Sequence, residues 1–326
     1  MGFNRREFLV SAALAGMATN LKAKGHSGFL AFSTLGCPKW NWKQILDFAS
    51  SHGFAAIELR GLMGELDLPS LPEFAPDKII DRRRELADHN LEIACVSSSA
   101  ELHHADASRA QQSADARRFI DLAESLGSPY VRVFGNKLEN PREETIKRVA
   151  AGLAELAQYA ESRHITVLLE SHGDFTDSAT LKKVLTRANS AHAALLWDAH
   201  HTFVDGHEDP EVTWHELAPW IRHTHLKDSR IVNGERNYVL TGRGDVPVKR
   251  QIELLLRGGY SGYFCFEWEK LWHPELEEPE IAFADYARVA GSYVQERHGV
   301  LERLGELYEN TVDNNRLFNS VPQEHS

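Results

Sequence analysis

ITVLLESH (165–172) and AALLWDAHH (193–201) are short aliphatic, β-branched runs that each close on a carboxylate and then histidine. IRHTHLKD (221–228) and GYFCFEWE (262–269) repeat the pattern downstream with imidazoles, a lysine and three more carboxylates. Runs of this length bounded by polar residues read as buried strands. Upstream, FLAFST (29–34), AAIEL (55–59), LEIACVS (91–97) and YVRVFG (130–135) have the same apolar character. Between the runs lie stretches of helical period, such as NWKQILDFASSHG (41–53), PDKIIDRRRELADHN (76–90) and REETIKRVAAGLAELAQYAESR (142–163). Gly53, Asn90 and Gly127 stand where those helices should stop, because Gly and Asn accept the left-handed backbone of a helix end. Strand and helix alternate in eight units, about 25 to 40 residues apart, which requires parallel strands and right-handed helical crossovers. Eight such units predict an α/β fold, a single closed (β/α)8 TIM barrel. No Gly-x-Gly-x-x-Gly turn follows the first strand, which counts against an open dinucleotide-binding sheet.

The barrel is expected over residues 28–299, with a peripheral helix and tail over 300–326. Residues 1–27 read as a signal segment. Asn4-Arg5-Arg6-Glu7-Phe8-Leu9 precedes an apolar run too short to span a bilayer, and the paired arginines resemble a twin-arginine export signal. Asn4 departs from the usual Ser or Thr. This implies an exported or periplasmic protein, or a cytoplasmic one if the signal is not used. No other run is long and apolar enough for a membrane span. The formal charge of −11, with 47 acidic against 36 basic residues, argues against nucleic-acid binding, which depends on Lys and Arg displacing counterions. Cys37, Cys95 and Cys265 lack metal-ligand spacing and read as small buried hydrophobes.

In a barrel of this type the C-terminal strand ends converge on one mouth, so the polar residues closing the last four strands meet in space. Three carboxylates crowded there would repel one another, and a divalent cation removes that repulsion. Oxygen ligands with one imidazole suit Mn²⁺ best, with Mg²⁺, Co²⁺ or Zn²⁺ as alternatives.

The ordered set Glu170, Asp198-x-x-His201, His223-x-His225-x-Lys227-Asp228 and Glu267 resembles the sugar phosphate isomerase/epimerase superfamily of xylose-isomerase-like barrels, which includes ketose 3-epimerases and inosose dehydratases. The resemblance covers roughly residues 28 to 295. It implies that Glu170, Asp198, His225 and Glu267 ligate the metal, and that Glu170 and Glu267 also carry protons. Glu269 lies two residues on, so the last ligand could slip to it. The resemblance implies a sugar isomerase or epimerase working through a metal-stabilised enediolate, with a lyase or dehydratase acting on keto-sugars or 3-keto-glycosides as the alternative.

His201, His172, Lys227, Arg132, Glu58 and Arg243 are the candidate substrate contacts, with Arg132 and Glu58 alternatively paired with each other inside the barrel. Trp40, Trp197, Trp268 and Trp272 suit either sugar stacking or packing. The partners implied are a small carbohydrate and, at most, further copies of this chain. A DNA-repair enzyme on the same barrel is disfavoured by the acidic balance, and a binding-only protein by the complete ligand set.

Overall fold

The computed structural model describes residues 29–296, so the signal segment and the C-terminal helix and tail fall outside the described residues. Eight parallel strands form the barrel. They are β1 (Leu30–Ser33), β2 (Ala56–Leu59), β3 (Glu92–Glu101), β4 (Tyr130–Phe134), β5 (Thr166–Glu170), β6 (Ala193–Asp198), β7 (Ile221–Leu226) and, after an inserted hairpin, β10 (Phe264–Phe266). Each pairs with the next, and β1 pairs with β10 to close the ring. The surrounding helices are α1 (Trp42–Ser51), α2 (Ile79–Asp88), α3 (Asp106–Leu126), α4 (Arg142–Glu161), α5 (Ser178–Ala188), α6 (Ala199–Val204), α7 (Pro210–Leu217) and α8 (Val248–Arg257), with a last helix over 279–296.

Local chemistry sets the boundaries. Asn41 caps α1 by accepting from the Gln44 backbone while the Gln44 side chain accepts from Asn41 N, a reciprocal box. Gly53, Asn90 and Gly127 all have φ between +54° and +80°, as the expected helix stops require. Strand β3 runs four residues beyond the expected 97, through an irregular register whose polar residues, Ser97 to Glu101, hid it from apolar alternation. Strand β10 is shorter than expected, so Glu267 lies just past it, although its N–H still donates to Leu226 O.

The hairpin, β8 (Asp228–Val232) and β9 (Glu235–Val239), was not expected from sequence. Its turn is Asn233–Gly234, both at positive φ, the two-residue geometry that matches strand twist.

Alternation along the strands divides the side chains. Leu30, Phe32, Ile57, Val131, Val133, Val167, Leu169, Leu195, Trp197, Phe264 and Phe266 join the large core beneath the helices. The Phe266 ring stacks on Tyr286 of the last helix at 4.5 Å. Their neighbours Ala31, Ala56, Ala94, Cys95, Leu168, Ala194, Leu196 and Cys265 form two small clusters apart from that core. The same period of two carries the polar site residues. All three cysteines are buried and free. Trp40, Trp197 and Trp268 are buried in the core, which rules them out as sugar platforms, whereas Trp272 is 52% exposed. Among the described residues no helix is long and apolar enough to cross a membrane.

Candidate metal and active site

Four strand ends deliver Glu170, Asp198, His225 and Glu267 to one point, each offering a ligand atom within 4.8 Å of all the others. His225 Nδ1 lies 3.2 Å from Glu267 Oε1, 3.4 Å from Glu170 Oε1 and 3.9 Å from Asp198 Oδ2. Asp198 also caps α6: its Oδ1 accepts from the His200 and His201 backbone, which aims Oδ2 at the cluster. Burial pushes the Glu170 carboxyl up, but Arg132 and His225 outweigh it and hold it at about 2. Glu267 is held well below the carboxylate range by His225 and Lys227, again against burial. Both are therefore ionised near neutral pH.

Glu58 corrects one expectation. It does not pair with Arg132, and both its oxygens are taken up by protein partners. Its Oε1 accepts from Ser33 Oγ, and its Oε2 lies 2.9 Å from His223 Nε2 and 2.7 Å from His225 Nε2. Burial opposes its charge, yet the two imidazoles keep it far below the usual range. A carboxylate on Nε2 fixes the tautomer and turns Nδ1 toward the cluster. Arg132 instead has Nε 3.1 Å from Glu170 Oε2, with its guanidinium 3.9 Å over the Phe134 ring.

Lys227 is fully buried rather than a solvated loop residue. Its Nζ donates to Asp198 Oδ2 at 2.7 Å and to Glu267 Oε2, and lies 2.9 Å from Glu269 Oε1. Glu269 is thus the partner of Lys227, and Glu267 is the member of the cluster. The next residue, Asp228, accepts from the backbone N–H groups of Gly242, Gly244 and Val246 and so folds the loop after the hairpin. A Cβ at Gly244 would sit 2.1 Å from Asp228 Oδ1, so only glycine fits there.

His201 and His172 line a cleft of about 740 Å³ beside the cluster, together with Asp174, Thr176, Asp205 and Arg142. Asp205 Oδ2 holds His201 Nδ1 at 2.7 Å, and Arg236 of the hairpin grips the other Asp205 oxygen. His201 Nε2 is buried without a hydrogen-bond partner, 3.6 Å from Asp198 Oδ2. The His172 ring packs edge-on to His201 at 4.7 Å, and its Nδ1 is also unpartnered. Arg243 corrects a second expectation: it is exposed and its guanidinium lies 3.2 Å from Asp285 on the last helix, outside the cluster.

Sequence reasoning missed Arg60, which is 5% exposed and directly follows the last residue of β2. It also missed the hairpin residues that organise His201 and His200; Ser229 Oγ lies 2.8 Å from His200 Nε2. The position of Arg60 at the strand end and the Asn-Gly turn were the signals available.

The family model for the xylose isomerase-like TIM barrel matches residues 46–285. The chain belongs to that family. No curated protein matches the sequence. Among solved structures, an L-ribulose 3-epimerase is 19% identical with a TM-score of 0.68, covering 86% of this chain and 97% of its own. A probable 3-DHS dehydratase from Bacillus anthracis is 17% identical at TM-score 0.66, covering 80% and 98%. A xylose isomerase-like TIM barrel protein from Mycobacterium smegmatis, in complex with magnesium, is 19% identical at 0.64, covering 82% and 97%. At these identities the likeness concerns the fold.

In this member of the xylose isomerase-like family the cluster fits a divalent cation. Three buried carboxylates converge on His225 Nδ1, which has no well-formed hydrogen bond, and a cation on those oxygens relieves their mutual repulsion. Ligand atoms at about 2.1–2.3 Å from one ion stand at most about 4.2–4.6 Å apart, in keeping with this spacing. Burial alone would lower the His225 pKa, but Glu267, Glu58 and Glu170 raise it well above the imidazole range. The charged ring therefore stabilises the metal-free fold below its unfolded pKa near 6.5, and that contribution is lost as pH rises through the folded value. Ligation needs the neutral ring. Metal uptake at pH 7 is accordingly expected to release about one proton, read as a buffer-dependent enthalpy in calorimetry. A binding enthalpy independent of buffer would exclude a protonated Nδ1 as the ligand being displaced.

Proposed function

We propose that this protein is a divalent-metal-dependent sugar isomerase or epimerase that moves a proton on the carbon beside a carbonyl. The observation that carries this reading is the placing of two ionised carboxylates, Glu170 and Glu267, against one imidazole at the barrel mouth. A bound cation, with Mn²⁺ the best match to the donor set, would supply charge against the oxyanion that develops, worth several kcal/mol. Glu170, kept ionised by Arg132, takes the proton from carbon, and Glu267 returns one on the opposite face. Positioned carboxylates of this kind contribute about 10²–10⁴-fold. His201 Nε2, oriented through Asp205, offers the free ring nitrogen to a substrate oxygen.

A lyase is the second reading. Burial and the neighbouring charges of His201 and Lys227 lower the His172 pKa despite Glu170, so its ring is neutral at pH 7 and open to the cleft. A neutral imidazole there can take up the proton that a carboxylate base removes from carbon and, as the imidazolium so formed, hand it to a leaving oxygen. Epimerase and probable dehydratase both occur among the similar folds. We also propose export, on Arg5-Arg6 and the apolar run that follows. Export would favour neutral or oxidised sugars over sugar phosphates.

The test is incubation of the Mn²⁺-loaded protein in D₂O with free ketoses and, separately, 3-keto-glycosides, followed by NMR. Deuterium in an epimer or isomer is expected. Release of an aglycone without any epimer would replace this reading by the lyase, and no exchange in either series would reject both.

A further inference from the structure

Arg60 is a buried cation that, among the described residues, has no carboxylate at contact distance. It lies just past the end of β2, only 5% of it is exposed, and the charges that act on it are those of Arg132, Glu267, Glu170 and Glu58. Among the described residues no carboxylate lies within 4 Å of its guanidinium, and Nη1 is buried without a hydrogen-bond partner. Its backbone is pinned by Thr34, whose Oγ1 accepts from Arg60 N at 3.0 Å and from Gly61 N at 3.1 Å. Arg132, 1% exposed, is the second cation of the group, and its Nη1 is also unpartnered.

A buried ion is tolerated when it is paired, and an unpaired one is costly enough that some partner is expected. The nearby acids do not fill that role. Glu58 is committed to Ser33, His223 and His225, Glu170 to Arg132 and His225, and Glu267 to Lys227 and His225. Burial and the Arg132 charge together lower the Arg60 pKa to about 10 against the pull of Glu267, Glu170 and Glu58, the signature of a cation short of counter-charge.

We infer that Arg60, with Arg132 beside it, forms a subsite for an oxyanion carried on the substrate, a carboxylate or a phosphate. A guanidinium fork matches either group with paired N–H donors. The inference rests on the proposed sugar chemistry for the rest of the substrate and narrows its class from neutral to acidic sugars, with the proposed export weighing for a carboxylate over a phosphate. An oxyanion on the sugar would meet Arg60 while the carbon acid meets Glu170.

The test compares D-glucitol, D-gluconate and D-glucitol 6-phosphate as unreactive probes, titrated calorimetrically into the full chain with and without Mg²⁺. One acidic probe is expected to bind at least about ten-fold tighter than glucitol, the usual scale for charged hydrogen bonds. Which acid wins distinguishes carboxylate from phosphate. Arg60→Gln should erase the preference, retain binding of glucitol and Mg²⁺, and not lower Tm, because an uncompensated buried charge is being removed. Arg60→Lys should restore part of the preference. Equal binding of all three probes by the wild type, a preference that survives Arg60→Gln, or a marked fall in Tm for both variants would overturn the subsite. Acid preference without any Mg²⁺ binding would leave the subsite standing and reject the metal-dependent reading instead.

Discussion

Glu170→Gln is expected to lose about 10³-fold in exchange of the carbon proton of the epimer that Glu170 serves under saturating Mn²⁺, with the fold intact. The amide keeps the shape and one oxygen, so a ligand atom survives, but it cannot accept the proton. Arg132 would lose its contact anion, and part of the loss would appear as about a ten- to hundred-fold weaker metal affinity, which excess Mn²⁺ offsets. Glu267→Gln supplies the contrast. If two carboxylates serve opposite faces, this variant should still exchange the proton of one epimer into D₂O while turnover to the other epimer collapses. The reverse variant should exchange only the other epimer. Such a split cannot arise from a purely structural or ligand role, which would depress both exchanges together. Equal loss of both exchanges in both variants would sink the two-base assignment and leave the glutamates as ligands. A single-base lyase would instead need only one of the two residues for proton removal.

The barrel was readable because its signal is periodic and repeated. Apolar runs such as ITVLLE and AALLWD separated by helical stretches leave few other topologies, and the helix stops at Gly53, Asn90 and Gly127 sit where backbone sterics put them. The meeting of Glu170, Asp198, His225 and Glu267 was readable for a related reason: a closed barrel turns the position at a strand end into a position in space. Side-chain partnerships were not readable. Glu58 and Arg132 both face inward, but whether they pair depends on register and shear, and Glu58 lies beneath the two β7 imidazoles while Arg132 reaches Glu170. Arg243 carries no strand context, and only the packing of the last helix puts Asp285 within its reach. Ser97 to Glu101 and the hairpin escaped because polar or turn-rich strands lack the apolar alternation that marks a core element.

Lys227→Met should destabilise the metal-free protein strongly and make its stability depend on metal. The ammonium is in contact with Asp198, Glu267 and Glu269, all at fully or nearly buried positions. Burial opposes its charge, but these three acids raise its pKa well above the ordinary lysine range. A raised pKa means the contribution is present below the unfolded value near 10.4 and lost only as pH climbs through the folded one, so it is intact at neutral pH. Methionine keeps the length and removes the charge, leaving the carboxylates buried against one another. Breaking a buried network from one side costs about 3–5 kcal/mol. At about 2–4 °C per kcal/mol for a domain approaching this size, Tm should fall by roughly 6–20 °C in the presence of a chelator. A divalent cation replaces the missing charge on the same oxygens, so saturating Mn²⁺ should recover most of that loss and raise Tm more in the variant than in the wild type. The ammonium and the cation share Asp198 and Glu267, so the variant should also bind metal more tightly wherever the two compete. Thermal unfolding with and without chelator reads both effects. An unchanged Tm for metal-free Lys227→Met would show that the carboxylates do not need the ammonium. Weaker metal binding in the variant would show that Lys227 shapes the site for the cation instead of standing in for it.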